Sequence, residues 1–133
     1  MKDTLTKRDL NHYREILEAE QARVSRSLKR RTKDIETAAE EAGSASGRAH
    51  SNHMADQGSD ESQYETMLQM AASEREYLRE IEAALERIED GTYGICLATN
   101  KPINKSRLKA KPWAKYCIEY ARELELRGGR RVS

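Results

Sequence analysis

Few side chains among these 133 residues could do chemistry, and they fall in three places. Cys96 and Cys117 are the two thiols, and as thiolates they would bind a soft metal. His50, His53 and Asp56 stand at equal spacing, and imidazoles with a carboxylate are common metal ligands. The Gly and Ser around them give no second layer of hydrogen bonds to orient the rings, so polar loop residues presented to a partner are the preferred reading. The third place is the basic run Lys101, Lys105, Arg107, Lys109, Lys111 and Lys115, which suits phosphates or an acidic surface. No nucleophile, base and orienting partner occur together, so no enzyme is expected.

Composition limits what can hold these groups in place. Charged residues make up 35% and aromatics 5%, there is no Phe, and the mean hydropathy is −0.94, which leaves too little apolar surface for a large globular core. A thin core along a helix seam fits better. Disorder is countered by a formal net charge of only +1 and by apolar residues that recur with a regular period. No apolar run approaches the roughly 18 residues of a membrane span, and Met1-Lys2-Asp3-Thr4 lacks the apolar core of a signal peptide. A cytoplasmic protein is expected, in which the two cysteines stay reduced. The near-zero charge is segregated. Ala55 to Asp90 holds eleven acids against three Arg, whereas Gly91 to Ile118 holds six Lys and Arg and no acid.

The expected fold is mainly α: a long antiparallel two-helix coiled-coil hairpin (residues 1–90), a small base with a C-terminal helix (91–127) and a disordered tail (128–133). Thr6 followed by Asp9 reads as a capped helix start. From there Leu10, Leu17, Val24 and Ala38 fall on one seven-residue series and Leu28, Ile35 and Ala42 on another, giving one stripe on one face. Gln21 and Arg31 interrupt the stripe, and Arg26, Lys29, Arg30, Arg31 and Lys33 form a basic cluster that reads as a solvated face. Helix one, Lys7 to Ala42, would be about 54 Å long at 1.5 Å per residue. Gly43 stops it, and a tip loop follows at about 43–58.

Helix two, beginning near Ser59 or Asp60, places Tyr64, Met67, Ala71, Glu74, Leu78, Ile81, Leu85 and Ile88 at steps of three and four residues, with only Glu74 polar. Met67 and Met70 read as seam packing. The pattern breaks at Asp90-Gly91-Thr92-Tyr93-Gly94, and Ile95 to Ile103 reads as a turn or short strand pair. A last helix is expected to open at Pro112 or Trp113 and to run through Tyr116, Cys117, Tyr120 and Leu124.

Ile88-Glu89-Asp90-Gly91-Thr92-Tyr93-Gly94-Ile95-Cys96, Lys101-Pro102-Ile103, Arg107-Leu108-Lys109-Ala110, Pro112 and Cys117 together resemble the DksA/TraR family of bacterial RNA polymerase regulators. That family has G-x-Y/F-G-x-C-x-x-C, then R-L-x-A-x-P, then a second C-x-x-C. The resemblance implies a non-enzymatic regulator whose coiled coil enters the polymerase secondary channel to modulate initiation. It also implies a tip near the polymerase active site. The family's Asp-x-x-Asp-x-Ala tip motif aligns on His53, Asp56 and Gly58, so only Asp56 is retained; as an alternative, Asp56 caps helix two.

The resemblance also implies a four-thiolate zinc site, of which Cys96 and Cys117 are a remnant half. The other two positions hold Thr99 and Tyr120, so no zinc is expected, and Trp113, Tyr93, Tyr116 and Tyr120 are candidates for an aromatic core in its stead. Family members cooperate with ppGpp through basic contacts. Lys111 occupies one such position but Glu80 and Ala121 occupy others, so dependence on ppGpp is not expected. The expected base contacts are Arg107, Lys109 and Lys111, with Arg107 alternatively tying the turn to the helix base. RNA polymerase is the expected partner of a monomer, and specific DNA binding is not expected. Three alternatives stay open: a transcript-cleavage factor using Asp56, Asp60 and Glu61, a structural coiled coil, and a nucleic-acid-binding module.

Overall fold

A reciprocal cap starts the first helix. In the computed structural model, which describes residues 5–43 and 54–128, the Thr6 N–H donates to Asp9 Oδ2 at 3.0 Å and the Asp9 N–H donates to Thr6 Oγ1 at 3.1 Å. Two orphan donors of the first turn are thereby satisfied, and the bond from the Thr6 N–H holds the Asp9 carboxyl below its ordinary range. The described residues form α1 (Lys7–Gly43), α2 (Met54–Asp90), α3 (Lys105–Ala110) and α4 (Ile118–Gly128). Between α2 and α3 a single antiparallel bridge joins Ile95 and Pro102, and no strand occurs among the described residues.

The chain divides into two compact units, Met1–Gln21 with Glu80–Ser133 and, separately, Ala22–Arg79. In the first, α1 and α2 run antiparallel: Arg14 bonds Glu89 and Gln21 bonds Glu82, each at 3.4 Å. The apolar stripe is the reason they pair. Leu17, Ile81 and Ala84 are fully buried and Tyr13 and Ile88 nearly so, and each large aliphatic among them contributes roughly 1.5–3 kcal/mol. Tyr13, absent from the expected stripe, packs on Tyr93 at 5.7 Å between ring centroids.

In the second unit the seam is buried at Val24 and Ala71. Its two expected polar interruptions meet: Arg31 Nε donates to Glu74 Oε1 at 3.0 Å, Arg31 Nη2 reaches Oε2 at 3.5 Å, and the Ser27 hydroxyl donates to Oε2 at 2.5 Å. Arg31 first, and Ser27 with it, hold the Glu74 carboxyl below its ordinary value of 4.5. Both partners are about a quarter exposed, at 24% and 22%, so the pair lies between a surface and a buried one. Arg31→Ala is expected to cost about 1–2 kcal/mol at neutral pH. Because the Glu74 pKa is depressed on folding, this stability is present above the ordinary glutamate range and is lost as pH falls through the folded value. Urea titrations at neutral and acid pH should therefore show the gap between the variant and the parent shrinking on acidification.

Several boundaries differ from expectation. Helix two starts at Met54 rather than near Ser59 or Asp60, because Met54 and Ala55 are good helix formers and Gly58 costs only about 1 kcal/mol of propensity. Residues 44–53, the centre of the expected tip loop, lie outside the described residues, as do 129–133. Helix two ends as expected at Asp90. Gly91 at φ +81° lets its N–H reach Ile88 O and the Thr92 N–H reach Arg87 O, a Schellman closure.

The last helix opens at Ile118, not at Pro112 or Trp113. Five consecutive carbonyls, residues 112–116, accept bonds from groups distant in sequence, which hold this backbone in a non-helical path. Tyr93 Oη donates to Pro112 O, Arg87 Nη2 to Trp113 O and Ala114 O, the Leu97 N–H to Lys115 O, and Arg107 Nε to Tyr116 O. Cys117 O is the first free to accept from Ala121 N–H. The short α3, not expected from the sequence, inserts Leu108 fully into the core.

Gly94 has φ +85°, and a Cβ there would lie 2.8 Å from Leu5 Cδ1 and 3.7 Å from Leu108 Cδ1. Gly91 has a similar φ but open space around it. Gly91→Ala should therefore cost about 1 kcal/mol from backbone strain alone, and Gly94→Ala about 2 kcal/mol, since Leu5 must also turn away. Urea midpoints of the two variants test the order.

Candidate functional site

The base is built around the two thiols. Cys96 is fully buried and Cys117 is 5% exposed, both as free cysteines. The hairpin that carries Cys96 is closed by Cys96 N–H to Lys101 O at 2.8 Å and Ile103 N–H to Gly94 O at 2.8 Å, with Asn100 in the left-handed region at φ +60°. Leu97 N–H to Lys115 O, at 2.9 Å, draws the Cys117 segment alongside. Burial would raise the Cys96 thiol, but hydrogen bonds from the Thr99 hydroxyl and from the N–H groups of Cys117, Thr99 and Ala98 prevail and bring it down to about 7.

A four-thiolate zinc site does not fit these residues. At the second ligand position the Thr99 hydroxyl lies 3.9 Å from Cys117 Sγ and accepts the Lys101 N–H at 3.3 Å. At the fourth, the Tyr120 ring stacks edge-on with Tyr116 at 4.9 Å. Among the described residues no group of three or more His, Cys, Asp and Glu is placed to hold a metal ion. The expected aromatic core is only partly present. Tyr93 is buried, whereas Trp113, Tyr116 and Tyr120 are half-buried, and Cys96, Ile103, Leu108, Pro112, Ala114 and Cys117 are buried with Tyr93. Thr99→Cys combined with Tyr120→Cys should regain one equivalent of zinc by elemental analysis, whereas the parent should keep its circular dichroism spectrum in EDTA.

Two buried polar side chains lock the base to α2: Tyr93, one of the expected aromatics, and Arg87, which was not among the candidate residues. Tyr93 Oη donates to Pro112 O at 2.6 Å, and burial pushes its phenol far above the ordinary range. Arg87, only 9% exposed, donates to Trp113 O and Ala114 O at 3.3 and 3.4 Å, and burial lowers its pKa. Arg87 lies three residues after the buried Ala84, on the same side of α2, where a charge needs partners.

Of the expected base contacts, Lys109 and Lys111 are exposed at the end of α3, while Arg107 is half-buried with its Nε bonded to Tyr116 O at 2.8 Å. Arg107 thus ties the turn to the base. Lys105 lies 3.8 Å from Asp9, and Lys115 sits over the Tyr116 ring at 5.5 Å. Lys101, Lys109 and Lys111 present the outward basic charge. At the other end, the backbone of α2 includes Asp56 and Gly58, and His53 and the His50 position lie outside the described residues.

Two long paired helices and a finger-like base with a halved cysteine set define a class, and the chain belongs to it: the DksA/TraR family. Residues 91–125 match the model of the prokaryotic dksA/traR C4-type zinc finger. General stress protein 16O of Bacillus subtilis is 34% identical over 122 residues, covering 91% of this chain and 71% of that one. The RNA polymerase-binding transcription factor DksA of Escherichia coli is 27% identical over 118 residues, covering 89% of this chain and 72% of that one. The solved structure of the transcription factor DksA2 from Pseudomonas aeruginosa superposes with a TM-score of 0.73 at 25% identity, covering 93% of this chain and 88% of that one.

Proposed function

We propose that this protein is a cytoplasmic, monomeric transcription regulator that binds RNA polymerase and inserts the tip between α1 and α2 into the secondary channel to modulate initiation. The observation that carries this reading is the likeness, along 89% of the chain, to a relative named as an RNA polymerase-binding transcription factor. No helix among the described residues is long and apolar enough to cross a membrane, which suits a cytoplasmic partner. In this reading residues 1–90 form the probe, 91–127 its base and 128–133 a tail.

Asp56 is the acidic group of the tip motif, in which the sequence has His53 and Gly58 at the positions where the family carries Asp and Ala. A carboxylate at that point acts on the electrostatics of the polymerase's own active centre rather than on a reaction of its own. Lys109 and Lys111 supply outward base contacts, with Arg107 holding the segment that presents them. No zinc and no ppGpp are required. The testing experiment is a pull-down with core RNA polymerase. The protein is expected to co-purify with polymerase as one copy per enzyme, and failure of the folded protein to bind would end the reading.

A further inference from the structure

Among the described residues, the seam of the second unit loses its buried core beyond Val24 on α1 and Ala71 on α2. No described residue is buried on α1 from 25 to 41 or on α2 from 61 to 70. Apolar groups are present there but uncovered: Tyr64 and Met67 are half-buried, while Leu68 is 40% and Met70 46% exposed, the latter contrary to its expected place in the seam. A groove of about 990 Å³ lies between the helices, floored by Tyr64, Met67 and Leu68 and rimmed by Asp34, Glu41, Glu61 and Glu65.

Charge identifies what would cover it. Residues 34–41 carry four acids and 61–73 carry two, with no Lys or Arg in either stretch. An occupant must therefore bring apolar side chains to the floor and cations to the rim. A long, open trough between two helices fits a third helix, whose apolar stripe at i, i+3, i+4 and i+7 lies along the floor. Met and Leu side chains adapt readily to such a guest. A second copy docking by the same face would set acid against acid.

We infer that this groove is the docking site for a basic amphipathic helix of a protein partner, with Lys or Arg flanking an apolar stripe. The inference is independent of the polymerase reading, because groove and peptide can be tested without polymerase. The probe is a fluorescein-labelled helical peptide of Lys and Leu with Leu at i, i+3, i+4 and i+7, alongside a version with Glu for Lys. Anisotropy and amide NMR shifts are read on the full chain.

The Lys peptide is expected to bind saturably and to shift the signals of residues 34–41 and 61–68, and the Glu version not to bind. Glu61→Lys with Glu65→Lys, both exposed positions, should weaken binding roughly tenfold, and Leu68→Ala roughly fivefold. The inference is overturned if the shifts map elsewhere, or if the charge pair of substitutions has no effect. It is also overturned if Leu68→Ala has no effect, which would mean adhesion by charge alone. Sedimentation showing a dimer that closes the groove would hand the site to a second copy and end the inference as well.

Discussion

Arg87→Met is expected to destabilise the protein by about 3 kcal/mol, the largest effect of any single side chain outside the aliphatic core. Arg87 is 9% exposed, and its guanidinium donates to the carbonyls of Trp113 and Ala114. Removing it takes a donor from both carbonyls, a loss of about 1–3 kcal/mol for each hydrogen bond to a charged group, while relieving part of the cost of burying a charge. Arg87→Lys should recover little, because both bonds come from Nη2 at the far end of the planar guanidinium, which the shorter, flexible Lys stem does not place there. Urea unfolding followed by Trp113 fluorescence reports directly on the segment Arg87 holds. A loss under about 0.5 kcal/mol, the range of ordinary surface substitutions, would mean that the base does not depend on Arg87.

Asp56→Asn is expected to leave polymerase binding intact and to remove most of the protein's effect on promoter-complex lifetime. Asn keeps the size and hydrogen-bonding capacity of Asp but not its charge, so the substitution isolates the electrostatic contribution of the tip. The alternative role for Asp56 was the cap of helix two. Helix α2 already includes residues 54 and 55, so Asp56 sits inside its first turn, not at the residue before it. A carboxylate there still favours the positive end of the helix dipole, a contribution of about 0.3–1 kcal/mol. Open-complex decay measured with both proteins at saturating concentration separates the roles. An unchanged lifetime effect with Asn would remove Asp56 from the mechanism.

The paired helices were legible in the sequence because a seven-residue apolar rhythm leaves little choice of buried face, and Leu17, Val24, Ala71, Ile81 and Ile88 are buried as that rhythm requires. Polar breaks in the rhythm were visible but not their pairing. Arg31 and Glu74 come together only once the register of the two helices is fixed, and local periodicity does not contain that register. The base was harder. Its backbone between Pro112 and Tyr116 is held by side chains distant in sequence, Arg87, Tyr93 and Arg107, which override a stretch that otherwise reads as helix. The zinc half-site was legible residue by residue, since Thr99 and Tyr120 are poor ligands wherever they are placed. What replaces the metal was not: the Thr99 hydroxyl beside Cys117, and the N–H groups gathered on Cys96, depend on the hairpin geometry.

Channel insertion is the central claim, and a photocrosslinker in place of Gln57, one residue from Asp56, tests it most directly. With core RNA polymerase, crosslinks are expected inside the secondary channel beside the active centre, and they should vanish when a factor known to occupy that channel is added in excess. Crosslinks confined to the outer surface of polymerase, or none from a protein that binds, would contradict the account.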